Sequence, residues 1–242
     1  SVNEVALKAN VSSATVVRFT QLLGFKGFLD FRNHLMELLK EKLSPLEKYK
    51  STLSKKNEYA NTLAKVSQKV KENIDYSITY NNLDDFKHIN NHIRSSENIF
   101  CLGMGISHNL AEILSYLLKL YMKKSFALSS DSPSFPEQII LMTPKDLLIV
   151  FSFPPYSRQT IEAAEQANEM GIPVISFTDK KTAPIVEFSE HFLIARTDNI
   201  LFTNSLGAIS VLMNALVTEL ALTEEKKVLN GLQKIDKYIK FI

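Results

Sequence analysis

The hydrophobic positions of this chain change their period along its length, and the changes divide it into stretches. In the first 43 residues the period is helical. Val2, Val5, Ala6 and Ala9 fall at i, i+3, i+4 and i+7, which predicts one apolar face of a short helix. Asn10-Val11-Ser12 interrupts it. Asn10 suits the left-handed backbone that ends a helix, and Ser12 suits an N-cap whose hydroxyl accepts from a first-turn amide. A second helix follows over residues 13–23 and stops at Gly24. Val16, Phe19 or Thr20, and Leu23 share one of its faces. Ser13, Ala14, Val17, Arg18 and Gln21 share the other. Residues 28–43 read as a longer amphipathic helix with Phe28, Phe31, Leu35, Leu38 and Leu39 as its stripe, suited to core or dimer packing. Ser44-Pro45 ends it.

Residues 44–97 are polar and rich in Lys, Asn and Ser, with no strand-like run. Over 46–80 the propensity is helical but the apolar stripe is thin: Leu53, Ala60, Leu63, Val66 and Val70. Such a helix needs a partner surface. Phe86, Ile89 and Ile93 space a further short helix over 83–93.

Beyond residue 98, β-type runs alternate with amphipathic ones. The former occupy 99–102, 125–128, 147–151, 173–177 and 192–194; the latter 108–123, 133–142, 157–170 and 183–188. This alternation predicts right-handed βαβ units and an α/β three-layer sandwich on a five-stranded parallel sheet. Helical patterns close the chain at 205–222 and 226–242, the last with Leu229, Leu232, Ile235, Ile239 and Ile242. The expected organisation is a helix-turn-helix domain over 1–45, a helical linker over 46–97 and an α/β domain over 98–242.

Composition bounds the function. Of the 242 residues, 45% are hydrophobic and 22% charged, enough apolar material for a sizeable core. The single cysteine, Cys101, excludes an internal disulfide framework and a Cys-rich metal site, and reads as a small buried hydrophobe. No apolar run reaches about 18 residues, so no membrane span is expected. The front end carries no apolar leader, so a cytoplasmic location is expected. Net charge is only +2, yet residues 1–57 hold 10 basic against 5 acidic side chains and the remainder 18 against 21. A basic front end on a mildly acidic body points to an anionic partner, although a solvated Lys-rich face gives the same excess.

Two short helices joined by a tight turn form a helix-turn-helix. Small or polar side chains on the exposed face of the second helix let its backbone approach a groove floor, and Arg18 has the fork that reads guanine bidentately. Ser12, Ser13 and Thr15 sit where hydroxyls and free amides meet phosphates. A plain αα-corner with a surface Arg fits the same spacing. The words of the stretch carry more: Val11-Ser12-Ser13-Ala14-Thr15-Val16-Val17-Arg18-Phe19, then Leu23-Gly24-Phe25-Lys26-Gly27-Phe28, resembles the N-terminal domain of the RpiR-type bacterial transcriptional regulators. The resemblance implies DNA-facing roles for Ser13, Ala14, Val17 and Arg18, and phosphate-facing roles for Ser12, Thr15 and Lys26. It also implies further family helices ahead of Ser1, so that the domain is expected to be N-terminally incomplete.

The first predicted strand runs into Gly103-Met104-Gly105-Ile106-Ser107 and then a helix. This is a phosphate-cradle layout, in which glycines let the backbone approach an anion and the helix start offers free amides. A dinucleotide fingerprint would have a third glycine where His108 stands; Asp131 could supply its acidic residue, which keeps NAD as a poor alternative. The loop Ser152-Phe153-Pro154-Pro155-Tyr156-Ser157-Arg158-Gln159-Thr160 is rich in hydroxyls between a strand and a helix. Ser157 also fits a plain helix N-cap.

Together the two loops resemble those of a sugar isomerase (SIS) domain, the usual effector domain of RpiR-type regulators. In that family a Ser-x-Ser-Gly-x-Thr-x-x-Thr loop holds the phosphate of a sugar. Ser152 matches its first Ser, Ser157 its first Thr and Thr160 its last, while Pro154 and Pro155 replace the second Ser and the Gly. That removes a hydroxyl and two backbone donors, for which Arg158 is a candidate replacement. The implied effector site is Gly103, Gly105, Ser107, Ser152, Ser157, Arg158 and Thr160. A sugar-phosphate isomerase would need a general base; His108, His191 and Glu219 are candidates, in no defensible catalytic spacing. The reading is therefore a regulator, not an enzyme. It uses no cofactor or metal, binds operator DNA and a phosphosugar, and forms a homodimer or homotetramer. The alternatives are an isomerase and a SIS fold used only for dimerisation.

Overall fold

The computed structural model describes residues 1–42, 44–54, 61–120, 124–131 and 133–238, and of residues 36–42 and 238 the backbone. Leu38, Leu39, Leu43, Ala60, Ile239 and Ile242, placed above on apolar stripes or at a helix end, lie outside the described side chains. The chain forms two compact units, residues 1–60 and 61–242.

Among the described residues the first unit holds four helices: α1 (Val2–Lys8), α2 (Ser13–Leu22), α3 (Phe28–Lys42) and α4 (Pro45–Ser54). Asn10 takes the left-handed backbone, φ 52°, that the turn requires. The Ser12 hydroxyl accepts from the Thr15 amide at 3.1 Å and caps α2. α2 packs between α1 and α3, burying Ala6, Val16 and Thr20. The buried position on the third turn of α2 thus belongs to Thr20, whose hydroxyl is satisfied by donating to the Val17 carbonyl at 2.8 Å. Phe19 and Leu23, expected on the buried face, are 54% and 51% exposed, because so small a core closes over two turns only. Phe25 sets the entry to α3 by edge contact with Phe31, ring centres 5.2 Å apart.

The helices of the stretch 46–97 divide between the two units. α4 falls in the first unit, whereas α5 (Thr62–Tyr80) and α6 (Leu83–Ser95) belong to the second. The reason is burial: Ile89 and Ile93 are fully enclosed in the core of the second unit, and α5 packs on α10 (Gly207–Thr223).

Five parallel strands form the sheet of that unit: β1 (Ile99–Gly103), β2 (Ser125–Ala127), β3 (Leu147–Phe151), β4 (Val174–Thr178) and β5 (His191–Ile194), in the order β2-β1-β3-β4-β5. Alternate residues feed two cores, as a period of two demands. Ile99, Cys101, Ile149, Phe151 and Phe177 face α6, α7 (Ile106–Leu120) and α10. Leu102, Leu148, Val150 and Val174 face α8 (Phe135–Ile139), α9 (Arg158–Glu169) and a 3-10 turn, Pro184–Phe188. All five residues of central β3 are buried, which explains its unbroken apolar run. The expected three-layer sandwich is thereby observed. The chain closes with α11 (Glu225–Tyr238).

The outer edge of β5 would expose unpaired amides. α5 covers it with polar side chains one helical turn apart. Asn81, at the end of α5, donates to the Ile194 carbonyl and accepts from the Ile194 amide, both at 2.8 Å. Ser77 accepts from the Arg196 amide at 2.9 Å, and Asn73 donates to the Asp198 carbonyl at 2.7 Å. Two of these groups, Asn73 and Ser77, are the buried residues of α5; of its predicted stripe, Leu63 is 80% exposed.

Candidate functional site

In the second unit the strand order reverses between β1 and β3, where β1 has β2 on its other side and β3 has β4. Doubly wound sheets bind ligands at such a reversal, beyond the carboxyl ends of the strands. Register places Gly103 directly opposite Phe151, so the loops leaving β1 and β3 start side by side. These are the two loops singled out from the sequence.

The β1 loop is tight. A Cβ on Gly103 would lie 2.5 Å from the Ser107 carbonyl oxygen, so no side chain fits there. Gly105 holds φ at 58°, in the left-handed region that glycine accepts without strain. Met104 and Gly105 carbonyls accept from the Ser107 and His108 amides at 3.1 Å, which winds the loop directly into α7. Ser107 is buried and Gly105 exposed.

The β3 loop is anchored by its backbone to β4. The Ser152 amide donates to the Phe177 carbonyl at 3.0 Å, and the Thr178 hydroxyl donates to the Ser152 carbonyl at 2.8 Å. Further out, Asn204 donates to the Pro154 carbonyl at 2.7 Å and the Tyr156 hydroxyl donates to Asp179 at 2.6 Å. Three residues absent from the sequence-based set, Tyr156, Asp179 and Asn204, therefore hold the loop. Ser157 caps α9, accepting from the Thr160 amide at 3.3 Å. The Ser152 and Thr160 hydroxyls are both buried, and neither has a hydrogen-bond partner. An enclosed hydroxyl without a partner costs about 1–3 kcal/mol. Two such hydroxyls lie close in sequence here, at the end of β3 and the start of α9. Arg158 stands apart from that pair: its side chain is 90% exposed and lies along α9, paired with Glu162 at 2.6 Å.

Of the three candidate bases, His108 alone belongs to the β1 loop, in the first turn of α7. His191 opens β5 at the opposite end of the sheet, and Glu219 lies within α10.

In the first unit the predicted DNA-facing residues share the front of α2. Ala14, Thr15 and Arg18 are exposed and Val17 is half-buried. The Ser13 hydroxyl donates to Asn3 of α1 at 2.8 Å, and Ser12 and Thr15 hydroxyls lie 2.8 Å apart. Lys26, exposed in the turn before α3, is fixed through its backbone amide, which donates to Asp30 at 2.9 Å. Among the described residues no single helix is long and apolar enough to cross a membrane.

Comparison with known proteins agrees with both halves. The family model described as SIS domain matches residues 92–219. The model described as helix-turn-helix domain, rpiR family, matches residues 1–42. An uncharacterized HTH-type transcriptional regulator of Haemophilus influenzae is 26% identical over 197 residues, which is 80% of this chain and 67% of that protein. The sugar isomerase domain of an RpiR transcription factor from Sphaerobacter thermophilus superposes with a TM-score of 0.69 at 24% identity, covering 72% of this chain and 97% of that one. The Vibrio vulnificus NanR protein, solved in complex with ManNAc-6P, gives a TM-score of 0.65 at 20% identity over 100% of this chain and 87% of that one.

Proposed function

The chain belongs to the SIS-domain family and carries the helix-turn-helix domain of the rpiR family at its front, and from that premise we propose a transcriptional regulator that binds double-stranded operator DNA through α2 and senses a phosphorylated sugar at the loops of β1 and β3. The observation that carries the effector half is the pair of buried, unpartnered hydroxyls of Ser152 and Thr160 at the strand-order reversal. Phosphate oxygens would accept from both, while the α7 and α9 amino ends supply free amides and a favourable dipole. A NanR neighbour with a bound sugar phosphate supports that ligand class. Gly103, Gly105, Ser107 and Ser157 shape the cradle, and Arg158, exposed and paired with Glu162 at the surface, can turn toward an anion.

On the DNA side, Arg18 reads a base edge, Ala14 and Val17 allow close approach, and Ser12, Ser13, Thr15 and Lys26 meet phosphates. A homodimer or homotetramer matches a two-fold operator. Its support is the outer stripe of α7, where Ile106, Ile113, Tyr116 and Leu120 are all exposed. The reading goes with a cytoplasmic location and with no isomerase activity.

The test is a thermal-shift screen with phosphosugars followed by calorimetry on the hit. Ser152→Ala and Thr160→Ala should each weaken effector binding about ten- to a hundredfold, one charge-assisted hydrogen bond being about 1.5–3 kcal/mol, and leave effector-free DNA binding intact. Equal affinity in the wild type and both variants would remove the pocket. Turnover of the hit in an aldose–ketose assay would favour the isomerase.

A further inference from the structure

The far end of the sheet, away from the loop cluster, carries a second group of chemically active side chains. His88 and His92 lie one turn apart on α6, and Glu190-His191 opens β5 against them. His92 Nε2 is 3.4 Å from Glu190 Oε1. The His191 ring stacks on His88 at 5.4 Å and sits 5.5 Å from His92. Asp85 Oδ1 is 3.9 Å from His191 Nδ1. Three of the chain's five histidines thus converge. One ligand atom from each of His92, Glu190 and His191 lies within 4.8 Å of the others. The two imidazoles are about three-quarters enclosed, at 25% and 20% exposure, and a cleft of about 460 Å³ lined by His88, His92, Arg94 and Glu224 opens beside them.

We propose that His92, Glu190 and His191 bind a divalent transition cation of the zinc class, which ties α6 to the first residue of β5. Two imidazoles and a carboxylate form a donor set that zinc takes with a fourth position left for water. Imidazole nitrogen argues against calcium and magnesium, which take oxygen. Ligands about 2.0–2.1 Å from a tetrahedral ion stand about 3.4 Å apart. The His92–Glu190 pair already has that separation, and the His191 donor atom lies within 4.8 Å of both, so that a shift of little more than about 1 Å would bring it to that distance. Asp85 lies 3.9 Å from Nδ1 of His191, and with Nε2 as the ligating atom a carboxylate on that side would orient the ring. A surface ion pair accounts for His92 with Glu190 but leaves the third imidazole and the second carboxylate unexplained.

The experiment uses the whole chain, free of any polyhistidine tag and stripped with EDTA. Zinc chloride is titrated by calorimetry and bound metal counted by elemental analysis. One zinc per chain is expected, with a melting temperature that rises with zinc concentration. His92→Ala and His191→Gln should each weaken binding at least about tenfold, since even outer-shell partners give that much. The double variant should bind none, and His34→Ala and His108→Ala should match the wild type. Cobalt in place of zinc should give the visible bands of nitrogen and oxygen ligation without a thiolate band. If a histidine variant fails to fold, Glu190→Gln decides, because that side chain is 53% exposed: weaker binding supports the site. Absence of zinc from the wild type, or undiminished binding in the double variant or in Glu190→Gln, overturns it.

Discussion

Asn81→Ala removes both partners of one residue on the outermost strand. The Ile194 amide and carbonyl each bond the Asn81 side chain at 2.8 Å, and Asn81 donates again to the Ser77 carbonyl at 2.7 Å. Ile194 itself is 2% exposed. Each orphaned buried group costs about 1–3 kcal/mol. Asn81 is only half-buried, so water enters part of the space it leaves, and the sum falls to about 2–4 kcal/mol. The assay is urea unfolding read on the transition of the second unit, with amide exchange at Ile194 beside it. The midpoint should fall at unchanged m-value, and the Ile194 amide should lose protection. Asn81→Asp keeps the acceptor for the amide but sets a carboxylate oxygen against the Ile194 carbonyl, so its loss should shrink as acid protonates the carboxyl. Thr79→Ala, exposed on the same helix, should stay within about 0.5 kcal/mol. If Asn81→Ala also stays within that margin, the edge of β5 does not depend on this side chain and the packing argument fails.

Other outcomes follow from single contacts. Gly103→Ala puts a methyl 2.5 Å from a backbone oxygen, and overpacking of this kind costs about 1–3 kcal/mol, read as a lowered melting temperature together with lost effector binding. Cys101 is fully buried, and desolvation pushes its thiol up to about 12; it should resist disulfide reagents at pH 8 until urea unfolds the chain. From pH 9 to 12 the unfolded chain gives up this proton while the folded one keeps it, so the thiol's contribution to stability falls as pH rises. Arg18→Ala should weaken specific operator binding by about 1–3 kcal/mol and relax the preference at one base pair; an unchanged footprint would refute its role.

The second unit was legible where burial runs on both faces of a strand. The run at 147–151 is apolar without interruption and that at 174–177 is broken only by Ser176, and the two loops beside them contain the residues that the reversal of strand order brings together. α5 was opaque for the opposite reason. Its interior face is polar, because Asn81 serves the edge strand and Ser77 and Asn73 the segment that follows it, more than 110 residues away, and a periodicity of hydrophobic residues is blind to such a face. Leu23 misled for want of core: the first unit is too thin to cover every residue of the stripe. The histidine group was invisible because His92 and His191 are 99 positions apart and neither sits in a ligand motif. Asp179 and Asn204 likewise meet the β3 loop only through the tertiary fold.

The pairing of Gly103 with Phe151 means that the floor of the cradle is hydrogen-bonded sheet, while everything above it is loop. Floor and walls are therefore independent in what they tolerate. Residues 154–156 can change without disturbing the ladder beneath, whereas Phe153 is buried in the core and belongs with the floor.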